Sequence, residues 1–142
     1  MKRSIIILCL STIFLGSSFK SAENHLVKVY LKNIVAEKGT AYVNIYTSEG
    51  FPKSDKQLQR KSVKITGNTA YVTFSVPNGN YAIAMYHDVN DNDQMDKNWI
   101  GYPLEPYGFS RNFKPTISEP DFTDCNFTVK NASKTLTINL IQ

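Results

Sequence analysis

Residues 69–87 read TAYVTFSVPNGNYAIAMYH. Val72, Phe74 and Val76 alternate with Tyr71, Thr73 and Ser75, and after the turn-forming Pro77-Asn78-Gly79-Asn80 a second run extends from Tyr81 to His87. Apolar residues at every second position, with β-branched and aromatic side chains between turn residues, describe two half-buried strands rather than a helix. The same pattern recurs outward in both directions. Toward the amino terminus, Leu26 to Ile34 sets Val27, Val29 and Leu31 against Lys28, Tyr30 and Lys32, and Thr40 to Thr47 sets Val43 and Ile45 against Tyr42, Asn44 and Tyr46. Ser62 to Ile65 reads as a hairpin partner of Thr69 to Val76 through Gly67-Asn68. Cys125 to Lys130 and Lys134 to Ile141 supply the last two strands.

About seven short strands with one apolar face each call for two sheets that cover one another, so the expected fold is an all-β antiparallel sandwich, immunoglobulin-like or transthyretin-like. An open barrel is the alternative. Pro77-Asn78-Gly79-Asn80-Tyr81 is similar to the turn and tyrosine that open a late strand in such sandwiches. Residues 48–61 read as an exposed polar connection with a short helical turn around Lys56 to Arg60.

The chain has 142 residues and a formal charge of +4. Its first 22 residues read as a signal peptide: Lys2 and Arg3, an apolar run from Ile5 to Leu15, then Gly16, Ser17 and Ser18, with cleavage expected near 18–22. That run is shorter than the roughly 20 residues a membrane-spanning helix requires. Leu8 before Cys9, and the apolar run beyond it, argue against a lipidated cysteine. Residues 23–142 then form one domain, expected in the periplasm or outside the cell. Without Lys2, Arg3 and Lys20 the balance is 13 basic against 12 acidic residues, and no basic cluster interleaved with aromatics points to nucleic acid. Cys125 is left alone, with no disulfide to form, and its alternation with Phe127 and Val129 places it in the core.

Residues Asp88 to Thr123 carry no strong strand pattern, and a loop of that length in a compact domain needs something to order it. Its first part, Asp88-Val89-Asn90-Asp91-Asn92-Asp93-Gln94-Met95-Asp96, places oxygen-bearing side chains at alternate positions. That is how a curling chain wraps a hard cation, with Asp88, Asn90, Asn92 and Asp96 giving side chains and Gln94 its backbone carbonyl to calcium. The template fails at its twelfth position, Trp99, where a helix-flanked hand has Glu, and at its sixth, where Asp93 replaces Gly. A further carboxylate must come from elsewhere; Glu105, Glu119 and Asp121 are the candidates, Glu105 first. Crowded carboxylates repel unless neutralised, and two on the ligand face predict weak binding, on the order of 10⁻⁴ to 10⁻³ M. The competing reading is an Asx-rich turn in which the same side chains cap their own backbone.

Several of these residues also carry a resemblance. His87-Asp88-x-Asn90-x-Asn92-x-x-x-Asp96-x-Asn98, followed by Gly101-x-Pro103-x-Glu105-x-x-Gly108-Phe109-Ser110, resembles the signature of the domain of unknown function 2141 family, uncharacterised secreted bacterial proteins. Asn78-Gly79-Asn80-Tyr81-Ala82-Ile83 and Pro120-x-Phe122 are similar as well. The resemblance implies export and a β-sandwich-like fold, and no activity. The sixth loop position, commonly Gly in that family, is Asp93 here.

Trp99, Tyr102, Tyr107, Phe109 and Phe113 cluster in the long loop. They either stack on a sugar or grip a peptide, or form a satellite core over the end of the sandwich. His87 is expected to pack or hydrogen-bond; zinc needs a second nitrogen or sulfur ligand. Ser110-Arg111 is a weak anion candidate. No nucleophile elbow, paired-histidine motif or phosphate-cradling loop occurs, so the expected function is a calcium-stabilised binding or accessory envelope module and not an enzyme. An envelope protein or a glycan is the partner class this implies. The enzymatic alternative is a metal-dependent hydrolase using His87 with Asp88, Asp96 or Glu105.

Overall fold

A computed structural model describes residues 23–53 and 55–142; the signal peptide expected over 1–22 lies outside them. Eight strands form two facing sheets: β1 (His25–Lys32), β2 (Thr40–Tyr46), β3 (Gln59–Lys64), β4 (Ala70–Val76), β5 (Gly79–Asp88), β6 (Tyr107–Phe109), β7 (Phe127–Val129) and β8 (Lys134–Asn139). One sheet has the order β4-β1-β8 and the other β3-β2-β5-β6, with β7 joining the free edge of β5 near its start. A short helix α1 (Phe122–Cys125) is capped reciprocally by Asp121 and Asp124.

The inward residues are those the alternation selects. Val27, Val29 and Leu31 of β1, Val72, Phe74 and Val76 of β4, Val43 and Ile45 of β2, Ile83 and Met85 of β5, and Ile138 of β8 pack into one core. Each such burial contributes about 1.5–3 kcal/mol. The Tyr81 hydroxyl donates to the Pro77 carbonyl (2.9 Å), tying the turn before β5 to the strand it opens.

Four expectations are corrected. Ser62–Ile65 and Thr69–Val76 do not pair as a hairpin: β3 pairs with β2, β4 pairs with β1, and Gly67-Asn68 lies in a connection between sheets. Two adjacent alternating runs look alike whether they share a sheet or face each other, because only the inward face is encoded. β8 runs parallel to β1, so the antiparallel pattern has one exception. Residues 56–60 form no helical turn, since β3 already begins at Gln59. Cys125 ends α1 rather than opening a strand, although it is fully buried as expected, and burial pushes its thiol up to about 12.

The five-stranded sheet sets up the site. Paired residues share a face, so one row on its outer side runs Arg60, Asn44, Ala84, Phe109, and the next runs Ser62, Tyr42, Tyr86, Tyr107. Polar and aromatic groups therefore stand where solvent was expected, with a small residue between Asn44 and Phe109. Residues 93–103 and 115–120, on either side of β6, fold back over this face.

Candidate functional site

The Asp88 loop is built on alternation. Asp88, at the end of β5, is fully buried, and its Oδ1 and Oδ2 accept the backbone amides of Asn92 (3.1 Å) and Asp93 (2.8 Å). Asn90 and Asn92 form Asx turns with the amides of Asn92 and Gln94. Their side-chain Nδ2 groups donate to the two carboxylate oxygens of Asp96, at 2.8 and 3.0 Å. The intervening acids point the other way, to the sheet. Asp91 accepts from the Thr40 hydroxyl (2.7 Å) and pairs with Lys64 (2.9 Å), contacts that hold its carboxyl below the usual range. Asp93 accepts from the Tyr42 hydroxyl, a bond that pushes the Tyr42 phenol up to about 12.

Asp91 and Asp93 take φ of 56° and 63°, the left-handed region that Asp tolerates better than most residues. The loop thus closes with Asp93 at the sixth position, and its side chain anchors the turn where glycine could not. Gly39 lies against the same loop: at φ 81°, a Cβ there would stand 2.1 Å from the Asp88 carbonyl oxygen.

Glu105 is the distant carboxylate that reaches the loop. It is 5% exposed, with Oε1 on the Val89 amide (2.9 Å) and Oε2 on the Asp96 amide (3.3 Å). Its carboxyl is raised, first by burial and then by the charges of Asp88 and Asp96, with the two amides acting in opposition. Glu119 instead lines a cleft and Asp121 caps α1. Asp88, Asn90, Asn92, Asp96 and Glu105 are thus brought into one connected network, joined to Gln94 through its amide. No cluster of three or more His, Cys, Asp and Glu suited to a metal occurs among the described residues; half of the loop's donors are amides.

His87 faces the opposite side of β5 from Asp88. It is fully buried, its Nε2 is 2.7 Å from the Lys38 carbonyl, and its Nδ1 has no partner among the described residues. Its ring is not gathered with Asp88, Asp96 and Glu105. Ser110 is buried as well: it accepts the Ile83 amide (2.8 Å) and donates to the Cys125 carbonyl, filling the gap on β5 between β6 and β7. Arg111 donates to the Thr123 carbonyl (3.1 Å). Ser110 and Arg111 therefore serve as structural links.

Beside the loop lies a cleft of about 680 Å³. Tyr102, Tyr107 and Phe109 line it, whereas Trp99 does not and is 95% exposed at the tip of a turn. That turn is fixed by Asn98, whose Oδ1 accepts the amides of Ile100 and Tyr102, and by Gly101 at φ 86°. Three floor residues escaped sequence reasoning: Asn44, Arg60 and Tyr86. Tyr42 and Tyr86 stack at 5.2 Å, the Arg60 guanidinium lies 4.2 Å over Tyr42, and its Nη2 donates to the Tyr86 hydroxyl (3.2 Å). Asn44 is 7% exposed and its Oδ1 finds no donor among the described residues. An orphaned buried acceptor costs roughly 1–3 kcal/mol. The signal was available in the outward positions of β2, Tyr42, Asn44 and Tyr46, which carry no charge on a nominally wetted face.

Fold and site together define a small all-β sandwich with a polar, carboxylate-bearing loop closed over one sheet. The family described as an uncharacterized protein conserved in bacteria, DUF2141, matches residues 29–137, and the chain belongs to that family. No curated protein and no solved structure matches the chain.

Proposed function

We propose that the protein is an exported, calcium-stabilised β-sandwich module that works by binding, as an accessory or structural component of the cell envelope, and turns over no substrate. The observation that carries the calcium part is Glu105. It is 17 positions from Asp88 in the chain, yet its buried carboxylate holds the loop's own amides and adds a third negative charge to those of Asp88 and Asp96. Carboxylates gathered this closely favour a cation that neutralises them.

Asp88, Asn90, Asn92, Asp96 and Glu105 offer side-chain oxygens and Gln94 a carbonyl, the hard-oxygen set calcium takes. Each carboxylate oxygen has a second lone pair beyond the amide it accepts. The export part rests on residues 1–22, and it places the module where millimolar calcium is met. Binding as the mode of action rests on the cleft, which the ordered loop walls.

Thermal melts in chelator and in calcium or magnesium test this reading. A site of Kd about 10⁻⁴ M adds roughly 1.4 kcal/mol in about 1 mM ion. Calcium should raise the Tm by a few degrees and magnesium should not. Asp96→Asn, whose oxygens hold only side-chain amides, should abolish the increment. An Asp96→Asn protein with undiminished calcium response, or a wild type with none, removes the site.

A further inference from the structure

We infer that the cleft over the five-stranded sheet is a binding site for a neutral oligosaccharide. This rests on the reading of the protein as a binding module and names the ligand class. The floor is the outer row Arg60, Asn44, Ala84, Phe109, recessed at Ala84, and the loop carrying Gln94 and Tyr102 forms one wall. About 680 Å³ is a size that encloses a small ligand.

Chemistry narrows the class. The lining mixes aromatic faces with planar polar groups of both senses: guanidinium donors on Arg60, carboxylate acceptors on Glu119, and amides on Asn44 and Gln94. A ligand that satisfies all of these must both donate and accept at many points and present C–H faces to Tyr102 and Phe109. Sugar rings do both. Lining charges balance, Arg60 and Lys97 against Asp93 and Glu119, so the cleft selects neither an anion nor a cation. A lipid tail would leave the polar groups of Arg60, Asn44, Gln94 and Glu119 without partners. A peptide that adds a strand needs a free strand edge, whereas this floor is the face of strands already paired to one another, so the peptide rival is a proline-rich one docked on the aromatic faces.

Two groups on the floor point to an absent partner. The Asn44 Oδ1 is buried, lacks a donor, and sits in the row beside Arg60. Arg60 itself forms no ion pair among the described residues; it rests on Tyr42 and donates to the Tyr86 hydroxyl, leaving other N–H groups free. A sugar hydroxyl can donate to the first and accept from the second.

The test is a titration of the protein with cellotetraose, xylotetraose, chitotetraose, mannotetraose and maltotetraose, followed by amide NMR shifts and calorimetry. At least one should bind with Kd of about 1 mM or tighter and move the amides of β2, β5 and residues 94–102. Tyr102→Ala, at an exposed position, and Arg60→Ala should each weaken it about tenfold, while Trp99→Ala leaves it unchanged. No shift with any of the five at about 10 mM overturns the inference, as does binding indifferent to both cleft variants, or a proline-rich peptide that moves these amides in their place. A calcium-dependent Tm without saccharide binding sinks the ligand class alone; saccharide binding without a calcium response sinks the cation reading alone.

Discussion

Between the sheets, Val29, Phe74, Ile83 and Ile138 are held by apolar burial, each with no exposure and no partner to align. Over the end of β5, the segment from Asp88 to Glu105 is held almost wholly by directed polar contacts: carboxylates on amides, Asx turns, an ion pair with Lys64. The first region depends on area removed from water and is indifferent to pH and ions. The second depends on charge, and its three gathered carboxylates make it the part of the molecule that solution conditions can tune. One chain thus combines a scaffold that specifies the fold with a loop whose stability is conditional.

The contrast can be broken most forcefully in the core. Phe74→Ala should cost about 3–5 kcal/mol by denaturant melt, by the same amount in chelator and in calcium. A calcium-dependent cost would show that loop and core are not separate. Gly39→Ala probes their contact, because its Cβ meets the Asp88 carbonyl and its φ of 81° disfavours any side chain. It should cost roughly 1–3 kcal/mol and weaken the calcium response as well. Loss of stability with the full response intact would separate the Gly39 turn from the loop.

Asp88→Asn leaves one of two loop amides facing an N–H group, and in chelator it should cost about 1–3 kcal/mol. Hydrogen exchange at Asn92 and Asp93 should accelerate while β1 and β4 stay protected. Acceleration of the core strands would overturn the division.

Glu105 makes pH a sharper tool. Its folded carboxyl is raised above 4.5, so the folded state binds the proton more tightly, and in chelator its charge lowers stability as pH rises through that window. Melts between pH 4 and pH 7 should show the effect, and Glu105→Gln should flatten it. Calcium affinity should fall as pH drops through the same window, since proton and ion compete for one carboxylate. Asp91 contributes with the opposite sign: its lowered carboxyl stabilises above 3.8 and loses that contribution as pH falls below. Asp91→Asn is the smallest expected change, fading further in high salt because its pair with Lys64 is exposed.

Much of the architecture could be read from residues 25–88 because alternation names the inward side chains directly. Val27, Val29, Val72 and Phe74 are where the pattern placed them. The β3–β4 pairing was misread because alternation says which face is buried and nothing about the neighbour across a backbone ladder. β6 was missed because Tyr107-Gly108-Phe109 is too short to show a period. Gly108 is legible only afterwards: a Cβ there would meet Ile138 at 2.9 Å.

In the loop, the alternate oxygens of Asp88, Asn90, Asn92 and Asp96 were visible as spacing, and the outward exception at Asp93 was visible as a missing glycine. The sequence by itself determined an all-β domain, its buried residues and a carboxylate-rich loop, since all three follow from periodicity and composition along the chain. Only the tertiary structure decided that Glu105 and not Glu119 or Asp121 closes that loop, that Asp91 and Asp93 tie it to β2 and β3, and that Asn44 and Arg60 floor a cleft. Those are contacts between residues far apart in sequence, and no local pattern encodes which surfaces the folded backbone brings together.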